Sequence, residues 1–197
     1  MIKKERAART RETLVRAAAQ VFAEEGFAAA LVSAISRRAG VTAGGLHFHF
    51  ASKTEIARAV EERAADAVAR ITDAERSVGH PVRVLVDSTA ELMELLAQDV
   101  VVRAGFALSA DSSHESRVDL RGQWRLWVEE LLAAAERGGM LAEGVSSHDA
   151  ARAVVASTVG LEVLSAAEPE WVAPQTLARI WGLVLPRLLA GEGLEAD

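Results

Sequence analysis

Apolar residues along this 197-residue chain recur at intervals of three and four, the period of a helix with one buried face. No run of β-branched residues alternates at intervals of two. Leu14, Ala17, Ala18, Val21 and Phe22 place one apolar stripe on a first helix over residues 7–25, ended by Gly26. Short helices are expected over 32–39, ended by Gly40, and over 43–50. A longer, charged fourth helix is expected over 53–76, with Ser52 as its N-cap and Glu55 completing a capping box. After the break at Gly79-His80-Pro81, five more helices are expected over 82–98, 101–110, 118–137, 148–167 and 174–189. Asp111-Ser112-Ser113, Gly138-Gly139 and Pro169 supply the later breaks. The pattern describes an all-α protein without internal repeats.

Composition narrows the class. Half the residues are apolar and a quarter charged, as in a globular chain. Cysteine is absent, which removes disulfides and thiolate metal sites and suits a reducing compartment. The N-terminal MIKKERAARTRETL has no apolar segment behind its charges, so no signal peptide is expected. The most apolar stretch, residues 153–161, is bracketed by Arg152 and Glu162 and is far short of the roughly 20 residues of a membrane span. A soluble, cytoplasmic protein is expected, with no membrane partner. Residues 1–53 hold nine Lys/Arg against four Glu, net +5, leaving −11 on the remainder. A basic head on an acidic body fits a polyanionic partner for the head, although basic terminal arms also occur without one. Gly-x-Ser-x-Gly, a phosphate loop and His-Glu-x-x-His are missing, as is any tyrosine, so neither catalysis nor a cofactor is expected.

The densest chemistry lies in AGVTAGGLHFHFASKTEI, residues 39–56. His47 and His49 stand two apart, about 200° around a helix, which does not suit a metal pair. A helix–turn–helix fits better: residues 32–39 as the first arm, Gly40-Val41-Thr42 as the turn and 43–50 as the second. Ile35, Ala39, Val41 and Leu46 would lock the arms together. Gly44 and Gly45 each cost about 1 kcal/mol in a helix relative to Ala, which makes sense where a backbone must approach another surface closely. A plain helical hairpin remains the alternative on these residues alone.

Gly40, Val41, Thr42, Gly44, Leu46, His49, Phe50, Lys53 and Ile56 make this stretch resemble the signature of the TetR family of bacterial transcriptional repressors. The resemblance implies a three-helix DNA-reading head at 1–52, a six-helix ligand-binding and dimerisation body at 53–197, and a homodimer that leaves DNA when ligand binds. It places Thr42, Ala43, Gly44 and His47 at the DNA, His47 standing where Tyr is usual. Lys53 would hold a phosphate at the start of the fourth helix. His49 and Phe50 would close the head onto that helix, and Phe48 is expected in the core. Two departures stand out: Ala43 replaces a frequent base-contacting Lys, and Ala30-Leu31 replaces a capping Thr. Ser33 is the substitute cap and DNA contact. Arg9 and Arg11, on a terminal arm, are further candidates for phosphate or minor-groove contact, with a solvated basic arm as the alternative.

In the body, VVRAGFALSAD, GQWRLWVEELLAAAERGG and ARAVVASTVGLEVL resemble the γ-butyrolactone receptor branch of the same family. That likeness puts Trp124 in the pocket wall, its indole N–H suited to a lactone or hydroxyl oxygen. Trp127 lies near the same face. Candidate walls are Leu85, Val86, Thr89, Phe106, Leu108, Val155 and Val159. Leu161 replaces a pocket Thr of some receptors, with Thr158 and Glu162 as its polar substitutes. Val154, Leu161, Ile180, Val184, Leu185 and Leu188 form apolar stripes expected at the dimer interface, or else in an internal core. The function so implied is a repressor of a pseudo-palindromic operator, released by a small apolar effector of γ-butyrolactone type. The alternatives are a pseudo-receptor answering an antibiotic or furan-type ligand, and a helical protein that sequesters a small molecule without binding DNA.

Overall fold

Nine α-helices and one 3-10 turn make up the regular structure of the computed structural model, which describes residues 2–73 and 79–190. They are α1 (Ile2–Ala29), α2 (Val32–Arg38), α3 (Ala43–His49), α4 (Lys53–Ile71), α5 (Pro81–Gln98), α6 (Val100–Ser109), α7 (Leu120–Arg137), α8 (Ser147–Ser165), the 3-10 turn Pro169–Val172 and α9 (Pro174–Leu188). The all-α reading holds: among the described residues the β pairing is one isolated bridge, Leu141 to Leu189. No helix among them is long and apolar enough to cross a membrane.

Two boundaries differ from expectation. Helix α1 starts at Ile2, before the expected residue 7, and carries Arg9 and Arg11. Gly26, at φ +74°, breaks α1 where the sequence placed its end, and a last turn follows to Ala29. Helix α4 stops at Ile71, not Arg76. The Thr72 hydroxyl donates to the Val68 carbonyl at 3.1 Å and satisfies an end carbonyl there. Residues 74–76 of the expected helix lie outside the described residues.

The chain forms two compact units. One holds the residues up to Ala67 together with Asp99–Leu120; the other holds Val68–Gln98 and the residues from Arg121 on. In the first, the Leu14–Val21–Phe22 stripe of α1 meets Ile35 of α2, Leu46 of α3, Ile56 and Val60 of α4, and Val101 and Ala104 of α6 in one core. The approach of α6 to α4 is close: a Cβ on Gly105 would lie 2.3 Å from that of Ala64, so only glycine fits. In the second unit, α5 packs on α8, α9 and the 3-10 turn, burying Leu85, Leu92, Met93 and Leu96 along one face of α5.

Candidate functional site

In the head, Gly40 (φ +67°) turns the chain after α2, and Thr42 caps α3 by accepting the Gly45 N–H at 3.1 Å. A Cβ on Gly45 would stand 3.3 Å from the Thr42 hydroxyl, so a glycine there leaves room for the cap. Leu46, fully buried, anchors the helix to the core. Ala43, Gly44, His47 and Phe48 share the opposite face at spacings of three and four, and all are exposed. Phe48 was expected in the core; it is instead 81% exposed, its ring edge-on to His49 at 5.2 Å. The signal was legible, because the two-residue offset that separates His47 from His49 also separates Phe48 from the anchor Leu46. His49 is half-buried and Phe50 buried, with the Arg11 guanidinium 4.9 Å above the Phe50 ring.

The missing cap at α2 is real. Leu31 occupies the N-cap with no side-chain hydrogen bond and is 62% exposed. Ser33 does not replace it, because the helix already starts at Val32; the Ser33 carbonyl accepts from the Ser36 hydroxyl. Arg9 is exposed on α1, with its carbonyl accepting from the Thr13 hydroxyl.

Lys53 has partners inside the chain. Its ammonium donates to the carbonyls of Phe27, Ala28 and Ala30 at 2.7, 3.1 and 3.0 Å and sits 4.5 Å over the Phe27 ring. A lysine ammonium has three protons, and all three are spent closing the end of α1. In this arrangement no donor remains for a phosphate. The Ser52 half of the α4 cap forms as expected, Ser52 Oγ accepting from Glu55 N–H at 3.1 Å, while the Glu55 carboxylate accepts from the Ala51 N–H at 2.6 Å, one residue before the N-cap.

Sequence reasoning missed a buried pair in the same unit. His114 Nε2 lies 3.0 Å from Glu61 Oε2, and both side chains are wholly buried. The Phe27 ring stacks on the imidazole at 4.6 Å. Asp111 shapes the loop that presents His114: its carboxylate accepts from the Ser113 N–H and hydroxyl, and its carbonyl from the His114 N–H. These bonds, the Ser113 hydroxyl foremost, hold the Asp111 carboxyl below its ordinary range. Nothing in the local pattern pairs residues 53 positions apart.

In the second unit, Trp124 is 1% exposed and its indole N–H donates to Thr158 Oγ1 at 3.0 Å. The donor assigned to a ligand is thus met from within, Thr158 in turn donating to the Val155 carbonyl at 3.1 Å. Trp127, half-buried, lies against Trp124 with ring centroids 5.0 Å apart. One helical turn from the Trp124–Thr158 bond, Arg121 Nε and an Arg121 terminal nitrogen donate to Glu162 Oε2 at 2.9 and 2.7 Å. Glu162 is therefore paired and not a bare polar end of a pocket. Burial nonetheless raises its carboxyl above the ordinary range, with Arg121 opposing.

The other candidates separate. Leu85 and Thr89 are buried on α5, Thr89 donating to the Leu85 carbonyl at 2.7 Å, and Val86, Val155 and Val159 are half-buried. Phe106 and Leu108 fall in the first unit, and Leu108 belongs to the core shared with α1, because α6 packs along that helix. Of the expected interface stripe, Val154, Leu161, Ile180 and Val184 line a groove with Thr89, Thr158 and Trp181. Val154, Leu161 and Leu188 are already buried within the chain, while Ile180, Val184 and Leu185 are half-exposed. The groove encloses about 30 Å³, far below the roughly 300–1,000 Å³ of a ligand pocket. The buried Trp181 indole N–H beside it has no hydrogen-bond partner among the described residues.

With this geometry in view, residues 14–60 match the bacterial regulatory proteins of the tetR family. The A-factor receptor protein of Streptomyces griseus is 31% identical over 189 residues, spanning 95% of this chain and 67% of that protein. A crystal structure of a gamma-butyrolactone receptor (ArpA-like protein) superposes with a TM-score of 0.81 at 28% identity, over 93% of this chain and 90% of that one. The TetR family protein CprB of Streptomyces coelicolor, in complex with its biological operator sequence, gives 0.78 at 28% identity, over 94% and 90%.

Proposed function

Because the chain belongs to the tetR family of bacterial regulatory proteins, we propose that it is a ligand-responsive repressor that binds a pseudo-palindromic operator as a homodimer in the cytoplasm. The observation that carries this reading is the outward face of α3: Ala43, Gly44 and His47 stand exposed on a helix anchored by Leu46 and capped by Thr42. Such a helix, presented after a turn, enters a major groove and places its outer side chains on base edges. Arg9 and Arg11 add positive charge from α1. Residues 1–52 act as the DNA-reading part and 53–197 as the part that takes ligand and pairs two chains through α8 and α9.

The effector is a small apolar molecule with an oxygen acceptor, of γ-butyrolactone type, as the receptors similar to this chain suggest. It would displace the Thr158 hydroxyl from the Trp124 indole and open the interior around Leu85, Val155 and Val159. Helix α4 carries residues of both units. A useful switch needs a coupling of about 1–3 kcal/mol. A second reading, a pseudo-receptor for an antibiotic or furan-type ligand, is favoured by Leu161, which offers no hydrogen bond on the α8 face beside Thr158.

Fluorescence anisotropy of a duplex from upstream of the protein's own gene, titrated with a γ-butyrolactone, tests both. Salt-sensitive binding reversed by the lactone supports the first reading. Binding that the lactone leaves intact moves the effector to the second class, and absence of duplex binding overturns the repressor.

A further inference from the structure

The outer face of α3 is almost uncharged: a methyl at Ala43, bare backbone at Gly44, the His47 imidazole and the Phe48 phenyl ring. Two of these four are unexplained by the fold. Phe48 leaves 81% of its surface in water, more than any other large apolar residue among those described, and burying apolar surface is what drives folding. Gly44 needs no special backbone angle, and a Cβ there would meet nothing within 4 Å, although glycine is among the poorest helix formers. Gly45, its neighbour, has an internal reason in the Thr42 cap; Gly44 has none.

The two anomalies are adjacent on one face and complementary. One removes bulk, so that the helix backbone can come close to a surface. The other extends an apolar ring toward it. In the major groove the apolar feature is the thymine C5-methyl, the group that distinguishes an A·T pair to a side chain without hydrogen-bonding capacity. Resting on the DNA-reading function above, we propose that Phe48 is a specificity residue that packs on a thymine methyl in each half-site, with Gly44 providing the clearance that lets it reach. His47, exposed beside it, supplies the polar contact to a neighbouring base edge or phosphate.

The test begins with duplexes selected from a random pool by the full-length protein. The selected half-sites are expected to share a fixed thymine whose replacement by uracil, which removes the methyl alone, weakens binding about fourfold per half-site, the transfer energy of one methylene-sized group. Phe48→Ala, folded because the side chain is exposed, is expected to bind the thymine and uracil duplexes equally. If uracil has no effect at any thymine, or the same effect on both proteins, the assignment is overturned while DNA reading stands. A pool that yields no duplex overturns DNA reading itself. Gly44→Ala provides an independent arm: the melting temperature rises and affinity for the selected duplex falls. A rise in stability with unchanged affinity would overturn the clearance role.

Discussion

The two units set their buried polar groups against different partners. In the first, Lys53 gathers three backbone carbonyls at the end of α1, and Glu61 meets His114 with both side chains wholly buried. In the second, they pair side chain to side chain across α7 and α8, Trp124 with Thr158 and Arg121 with Glu162. Loss of either Glu61 or His114 strands its partner away from water. Under the proposed function the Trp124–Thr158 bond is exchangeable instead, because a ligand's oxygen acceptor would take the place of Thr158. On that reading the unit that presents α3 and the unit that takes ligand differ in what replaces a lost partner.

The strongest challenge to this contrast is His114→Ala. Removing one member of a wholly buried pair should cost about 3–5 kcal/mol in urea unfolding, while replacing both Glu61 and His114 by Leu should cost much less. Equal losses would mean that packing, and not the stranded carboxylate, dominates. Next is Lys53→Met, expected to cost about 1.5–3 kcal/mol for the charge-assisted bonds it breaks and to leave the salt dependence of duplex binding unchanged. A drop in the slope of log affinity against log salt by about one would return Lys53 to a phosphate.

Thr158→Val keeps shape but strands the Trp124 indole N–H, at about 1–3 kcal/mol. If that bond is the exchangeable kind, the same variant should bind a lactone effector more tightly by calorimetry, because the indole is released for it. Weaker binding would make Thr158 a ligand contact in its own right. The smallest effect is expected at Glu162. Its carboxyl is held above the ordinary range, so the folded state keeps the proton longer than the unfolded state does. The resulting stabilisation is present in acid and is lost as pH rises through the raised value. Wild-type stability should accordingly fall relative to Glu162→Gln over that rise in denaturation series. The reverse trend would show that attraction to Arg121 outweighs burial.

Much of this was written locally in the chain. The helix order, the breaks at Gly26 and Gly40, the Ser52–Glu55 cap and the motif around Gly40 to Phe50 all depend on residues within a few positions of one another. Apolar periodicity and capping act over that range, so they are readable without a structure. Even Phe48 was decided by its angle from Leu46 around a single helix.

What tertiary structure alone decided is which distant atoms each polar group meets. Lys53, a phosphate candidate by its place at the start of α4, meets three carbonyls at the end of α1, 23–26 residues earlier. Trp124 kept its place in the interior, but its hydrogen bond went to a hydroxyl 34 residues later. Leu108 joined the core of the first unit, because α6 packs along α1. A buried donor or acceptor must be matched by whatever the fold brings within about 3 Å, and that choice depends on the packing of whole helices.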